Sequence, residues 1–246
     1  MTDKERFDWA RDKIVGTVRE RQGIGTLSEK TVHAVLKNYY APDEDMHEIP
    51  IEGSVADIYT GTEIVEIQTR SFDRMRDKLR KFLPLYPVTI IYPIPYEKWL
   101  IWIDEETGEF GGRRKSPVKG NAYGAFKELY KIKNFLLDDN LHLKLVFINM
   151  EEYRLLNGWS RDKKKGSERY DRIPVKFAEE VCIDRREDYM QFVPYDLPEQ
   201  FTAKDFAKHA KIPVRLAQTV LLILTDLEIV VRVGKQGKSY LYEVNE

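Results

Sequence analysis

The stretch Ile51–Arg70, IEGSVADIYTGTEIVEIQTR, decides how this chain is read, because it holds two short apolar runs that each carry a carboxylate near their end. Val55, Ala56 and Ile58 surround Asp57, while Ile64, Val65 and Ile67 surround Glu66, and Thr60-Gly61 offers a tight turn between the runs. Two such runs joined by such a turn predict a β-hairpin. Residues two apart on a strand share a face, so Glu66 and Gln68 project together, opposite Ile67, and pairing across the hairpin brings Asp57 beside them. Converging carboxylates repel unless a proton or cation lies between them, and a hard divalent ion with oxygen ligands meets that need. The stretch therefore reads as a magnesium site, with Mn²⁺ as an alternative. The plainer reading is a solvated surface hairpin. Against it stand the apolar setting of both acids and the next segment, SFDRMRDKLRKFLPLY, which changes at once to helical spacing at Phe72, Met75, Leu79 and Phe82 or Leu83.

Working upstream, residues 3–21 predict a charged amphipathic helix with Phe7, Ile14 and Val18 on one side, stopped by Gly23 and Gly25. Ser28 suits the N-cap of a helix on SEKTVHAVLKNYY, which carries Glu29, and residues 41–48, APDEDMHE, read as an acidic loop. Downstream, a helix over Arg70–Tyr86 precedes a strand pair in PVTIIYPIPYEKWLIWID. A Gly-rich, basic loop (Glu105–Lys119), a helix (Ala122–Leu137) and a buried strand, LHLKLVFINM, follow. That order predicts an α/β fold with a mixed sheet flanked by helices.

At these residues the chain resembles the PD-(D/E)xK nuclease superfamily, whose restriction-endonuclease-like fold carries an Asp on one strand, an acid-x-Lys on the next, and often a Glu on the preceding helix. Asp57 matches the Asp, Glu66 matches the acid, and Glu29 is the candidate for the helical Glu. The resemblance covers roughly residues 27–150. Gln68 stands where the family usually has Lys, a departure that some restriction enzymes of the superfamily share. The resemblance implies hydrolysis of phosphodiesters with one or two Mg²⁺ ions, held by Asp57, Glu66 and the backbone carbonyl of Ile67. Gln68 would position the attacking water, and Glu29 would orient the metal shell or a second ion.

Composition sets outer bounds. With 246 residues the chain can bury a sizeable core, and 40 Lys+Arg against 41 Asp+Glu leave no global charge excess pointing to nucleic acid. One cysteine, Cys182, rules out a disulfide framework within the chain and any Cys-based zinc site, and in its VCI context it reads as a buried small hydrophobe. No run approaches the length of a transmembrane helix, and MTDKERFDWARDK is too charged for a signal peptide, so a soluble cytoplasmic protein without membrane contact is expected.

Local charge carries the argument for a partner. Arg113, Arg114, Lys115 and Lys119, followed by Lys127, Lys131 and Lys133, have only Glu128 as a nearby acid in sequence. The segment NGWSRDKKKGSERYDRIP reads as a loop whose Lys163, Lys164 and Lys165 would contact phosphates while Trp159 and Tyr170 stack on bases. Each has a plainer reading as solvated surface. The last fifty or so residues look like a winged-helix domain: a helix from Ala203 with Thr202 as its N-cap, a turn at Lys211-Ile212-Pro213, a second helix, and two β-rich runs around Gly234-Lys235-Gln236-Gly237. In that module Arg215, Gln218 and Thr219 would read bases, and Lys235 and Lys238 would reach phosphates. Winged helices also serve as protein-binding or dimerisation modules, which leaves a homodimer open.

The sequence thus predicts a nuclease-like domain over residues 1–195, joined through VPYDLPEQ to a winged-helix-like domain over 198–246. Its expected activity is metal-dependent cleavage of nucleic acid, DNA in the first instance. The alternative is an inactive nuclease fold that binds nucleic acid or a protein through the winged helix, and a lysine such as Lys78 or Lys30 pointing into the Asp57–Glu66 site would distinguish the two. A third reading is a purely structural regulator with dispersed basic surface.

Overall fold

The computed structural model describes residues 1–20, 31–104, 106–156 and 169–245. Two helices, α1 (Asp3–Glu20) and α2 (Thr31–Tyr40), lead into an antiparallel meander of β1 (His47–Ile51), β2 (Ser54–Tyr59) and β3 (Ile64–Ile67). Its turns depend on left-handed backbone, with Gly53 at φ 67° and Gly61 at φ 94°. From β3 the chain must return to pair in parallel, which demands a crossover. A 3₁₀ turn at Phe72–Met75 and α3 (Arg76–Phe82) supply it, and β4 (Val88–Ile103) then runs parallel to β3.

A short strand, β5 (Arg114–Lys115), folds back onto β4, and a second crossover containing α4 (Phe126–Leu129) leads to β6 (Leu141–Leu155), again parallel to β4. The last strand of this sheet, β7 (Arg169–Ile183), pairs antiparallel with β6. The main spatial order is β1-β2-β3-β4-β6-β7, which is the mixed sheet expected from the sequence. All four residues of β3 are buried, as befits a strand covered on both faces.

On one face Phe7 and Ala10 of α1 and Val32, Val35, Leu36 and Tyr39 of α2 pack on Ile58, Val65, Ile67 and Ile91. On the other, Met75, Leu79 and Phe82 join Phe126, Leu129 and Ile132 over Ile64, Val88 and Ile90. The C-terminal unit comprises β8 (Phe201–Thr202), α5 (Ala203–His209), α6 (Val214–Asp226), β9 (Val230–Gln236) and β10 (Ser239–Val244), with strand order β8-β10-β9. Thr202 caps α5, accepting from Lys204 N and Asp205 N while Asp205 accepts from its backbone in return. This unit shares the second core: Phe206, Leu216, Val220 and Leu224 are contiguous with the crossover residues, and the Tyr123 and Phe206 rings lie 6.2 Å apart.

Several expectations change. The predicted strand pair at residues 87–104 is one continuous strand, because β6 lies alongside it throughout. An irregularity between Pro95 and Lys98 absorbs the register shift that the prolines suggested as a break. The helix expected over Ala122–Leu137 is broken into 3₁₀ turns flanking α4, with Ile132 non-helical at φ −116°. The acidic loop at 41–48 ends in strand, since His47 already pairs with Ile58. Residues 169–174, read as loop, form the start of β7 against β6. Cys182, expected to be buried, is exposed because it lies on the edge strand, with its Sγ 3.4 Å from Glu180 Oε1. The C-terminal hairpin turns at Gly237-Lys238, later than expected, where Gly237 takes φ 61°.

Gly120 packs directly against the irregularity in β4. Its amide lies 3.1 Å from both Pro95 O and Tyr96 O, and an added Cβ would stand 2.3 Å from Pro95 O and 2.7 Å from Ile94 Cγ2. Gly120→Ala is expected to cost about 1–3 kcal/mol through overpacking against backbone. That loss corresponds to roughly 2–10 °C in Tm by thermal unfolding. An unchanged Tm would show that this loop yields freely.

Candidate active site

The β2–β3 register pairs Ile58 with Val65 and Tyr59 with Ile64, which continues to set Asp57 opposite Glu66. The backbone N–H of Asp57 lies 3.4 Å from Glu66 Oε1, and the Ile67 N–H donates to Asp57 Oδ2 at 2.8 Å. The acids therefore meet at the end of the hairpin, as the spacing predicts. Glu66 is buried, with a side chain only 3% exposed, and Asp57 keeps 20%.

Two cationic or proton-bearing groups complete the arrangement. From α3, Lys78 Nζ reaches Glu66 Oε1 at 2.9 Å and Oε2 at 2.7 Å. From α2, His33 Nε2 lies 3.1 Å from Asp57 Oδ2. Lys78 belongs to the helix after β3 rather than to β3 itself, and of the two lysines that the sequence offers for this place it is the one that reaches the acid; the other, Lys30, lies outside the described residues. His33 was missed outright. Its one signal in sequence is its position four residues after Glu29, the spacing that places side chains on one helix face. Glu29 itself lies outside the described residues.

Gln68 lies beyond the last residue of β3, and its Oε1 accepts from Arg70 N at 3.2 Å. Its carboxamide oxygen is thus taken up in the turn rather than directed by strand alternation. Among the described residues no three His, Cys, Asp or Glu side chains converge as a metal cage.

The two acids titrate in opposite directions. Burial, reinforced by the charge of Asp57, pushes the Glu66 carboxyl up to about 7 in spite of Lys78. Burial also raises Asp57, but the hydrogen bond and charge of His33, the Ile67 amide and Lys78 outweigh it and hold the carboxyl below its ordinary range. Paired groups driven apart in this way are a recurrent feature of acid–base sites.

The basic groups are more neutralised than their sequence neighbours suggest. Arg113, Arg114, Lys115 and Lys119 are exposed. The fold nevertheless brings Glu151 to Arg113 at 2.8 Å and Glu97 to Lys115 at 2.9 Å. Trp99 and Tyr96 carry the Arg113 and Lys119 charges over their rings, each at 4.2 Å. Lys131 pairs with Glu128, and Lys133 with Asp226. Glu128 is therefore not the sole acid near this patch, as the sequence implied. Lys163, Lys164 and Lys165 fall outside the described residues. On α6, Arg215 and Gln218 are exposed, and on the hairpin so are Lys235 and Lys238. A cavity of about 500 Å³ separates Arg215 and Thr219 from Lys127 and Tyr130 of the second crossover.

A family model described as a domain of unknown function, DUF8091, matches residues 30–184, the span from α2 to the end of β7. The chain belongs to this family. The DUF8091 region contains His33, Asp57, Glu66 and Lys78, while Glu29 falls just before it. An uncharacterized protein of Treponema pallidum (strain Nichols) is 28% identical over 193 residues, covering 75% of this chain and 74% of the relative. No solved structure matches. No helix among the described residues is long and apolar enough to cross a membrane.

The raised Glu66 value has a thermodynamic signature. Its folded value of about 7 exceeds the ordinary 4.5, so between those pH values the folded state holds a proton that the unfolded state releases. Stability from this group is present below pH 4.5 and lost as pH rises to 7, up to roughly 3 kcal/mol. Asp57 has the opposite sign, and its contribution is lost only as pH falls below the ordinary carboxylate range. Glu66→Gln is therefore expected to gain stability relative to wild type as pH rises from about 5 to 8. Urea unfolding at both pH values measures this, and a variant-to-wild-type gap independent of pH would mean that Glu66 titrates as an ordinary carboxylate.

Proposed function

We propose that the protein is a metal-dependent nuclease of the PD-(D/E)xK type, cleaving phosphodiester bonds of nucleic acid, with DNA as the first substrate to test. One observation carries this reading: a buried Asp57–Glu66 pair at the end of the β2–β3 hairpin with the Lys78 ammonium between α3 and Glu66. The meander followed by a parallel strand across a helical crossover supports it. Lys78 takes the part that the resemblance assigns to the lysine of acid-x-Lys, reaching the acid from the following helix.

The donor set fits Mg²⁺, which binds through one or two carboxylates and completes its shell with water and substrate phosphate. Asp57 and Glu66 would hold it, with the Ile67 carbonyl as a further oxygen. Bound there, the ion would supply Lewis-acid activation of the phosphoryl group and of water. Lys78 places a positive charge and an exchangeable proton at Nζ beside the reacting centre. Near neutral pH the Glu66 carboxyl is close to half protonated, so it would give up a proton on serving as a cation ligand. His33 keeps Asp57 oriented and ionised.

Gln68 favours a second reading, because its carboxamide oxygen is engaged by Arg70 N rather than held for a water. In that reading the chain binds nucleic acid or a protein without cutting it, through the C-terminal unit read as a winged helix. Arg215, Gln218 and Thr219 would then meet bases, and Lys235 and Lys238 would meet phosphates.

Cleavage of labelled DNA and RNA with Mg²⁺ or Mn²⁺ decides between the readings. Asp57→Asn, Glu66→Gln and Lys78→Met should each lower cleavage by roughly a hundredfold or more, with circular dichroism confirming the fold. Gln68→Ala should lose much less. If wild type cuts nothing while Mn²⁺ still raises its Tm, and Asp57→Asn abolishes that rise, the non-cutting reading stands.

A further inference from the structure

Beyond the Pro95–Lys98 irregularity, the extensions of β4, β6 and β7 gather cations around one buried acid. Glu152 is 0% exposed. Its Oε1 accepts from Arg154 Nε at 2.8 Å and Nη2 at 2.5 Å, and its Oε2 from Arg172 Nε at 2.9 Å and Lys98 Nζ at 3.2 Å. Burial pushes this carboxyl up, but the charges of Arg172 and Lys98 and the arginine hydrogen bonds bring it down to about 2. It stays charged at any ordinary pH, and one negative charge faces three positive ones.

The surplus grows at the rim. Arg169 pairs with Arg154 in the β6–β7 register and is exposed, as is Arg70 in the turn after β3. Neither side chain has a hydrogen bond or ion pair among the described residues. Nearby acids are already engaged. Asp171 is buried and accepts from Thr31 Oγ1 and, at 2.7 Å, from Arg172 N. Glu151 holds Arg113 and the Tyr153 hydroxyl. Partial desolvation and the like charge of Arg172, only partly offset by Glu152, lower the Arg169 guanidinium from its ordinary value, with Arg70 and Arg154 adding smaller repulsions. Asp171, which accepts from Arg172 N, also bonds Thr31 of α2, two residues before the His33 that meets Asp57, and Asp57 accepts from Ile67, three residues before Arg70; the cluster therefore lies beside the carboxylate centre.

A structural ion-pair network tends toward neutrality, whereas this one carries excess guanidinium groups with open edges, the geometry that grips phosphate in a fork. Glu152 fixes Arg154 and Arg172 in place, so little side-chain entropy remains to be lost when an anion arrives. We propose that Arg70, Arg154, Arg169 and Arg172 form a phosphate subsite beside the carboxylate centre, occupied by a phosphodiester of the nucleic-acid strand. The identity of the ligand rests on the nuclease reading; the phosphate chemistry of the site does not.

The test uses the full chain without divalent metal and two probes, a short labelled DNA and inorganic pyrophosphate. Arg70→Gln/Arg169→Gln leaves the ion pairs of Glu152 intact, and Arg80→Gln/Arg185→Gln removes the same charge from exposed positions elsewhere. The first variant should weaken binding of both probes about tenfold, with the DNA salt dependence falling by about one to two units of slope; the second should change little. Pyrophosphate binding by wild type, lost in the first variant, with no DNA binding at all would keep the subsite, assign it to a free phosphate compound and remove the nucleic-acid reading. Equal weakening in both variants, or wild type binding neither probe, overturns the proposal.

Discussion

The rest of the site depends on a carboxylate placed inside a strand that is covered on both faces. Glu66 lies on β3 between helices packed from either side, where an isolated ionised group would be prohibitively costly. Lys78 offsets that cost, and to do so α3 must lie close enough for its ammonium to span both carboxylate oxygens. The same crossover that lets β4 run parallel to β3 thus carries the counter-charge. Topology and electrostatics are met by one short helix, and removing one partner of such a pair strands the other.

Asp57 and Glu66 face each other, yet their surroundings separate them. Asp57 accepts from the Ile67 amide and meets His33 on the α2 side, while Glu66 has the deeper burial and a single lysine. The hairpin end therefore sits between two helical layers, with α2 bonding Asp57 and α3 bonding Glu66. That division lets one carboxylate remain charged while its neighbour keeps a proton close to neutral pH.

The acids were legible because hairpin pairing is local: a turn at Gly61 and two apolar runs suffice to bring Asp57 and Glu66 together. The mixed sheet was legible for a similar reason, since helical and strand spacing alternate along the chain. What escaped was non-local. His33 reaches Asp57 from the helix before the hairpin, and nothing in strand spacing indicates that this helical residue points inward, whereas Lys78, a candidate from the sequence, reaches Glu66 from the helix after it. Gln68 followed the strand period on paper, but the strand ends at Ile67 and the following turn claims its side chain. Cys182 was misjudged because its apolar neighbours said nothing of β7 being an edge. Glu97 and Glu151 approach the basic loop because β5 folds back onto β4 and β6 runs alongside β4 there.

The C-terminal unit has no core of its own. Phe206, Leu216, Val220 and Leu224 belong to the same apolar cluster as Met75, Phe82, Phe126 and Leu143, and ion pairs from Lys133 to Asp226 and from Arg186 to Glu228 cross the same junction. Loosening that cluster would remove support from both units together. Tyr123 sits at this junction, its ring against Phe192 and Phe206, so the second crossover of the sheet doubles as the floor on which α5 rests.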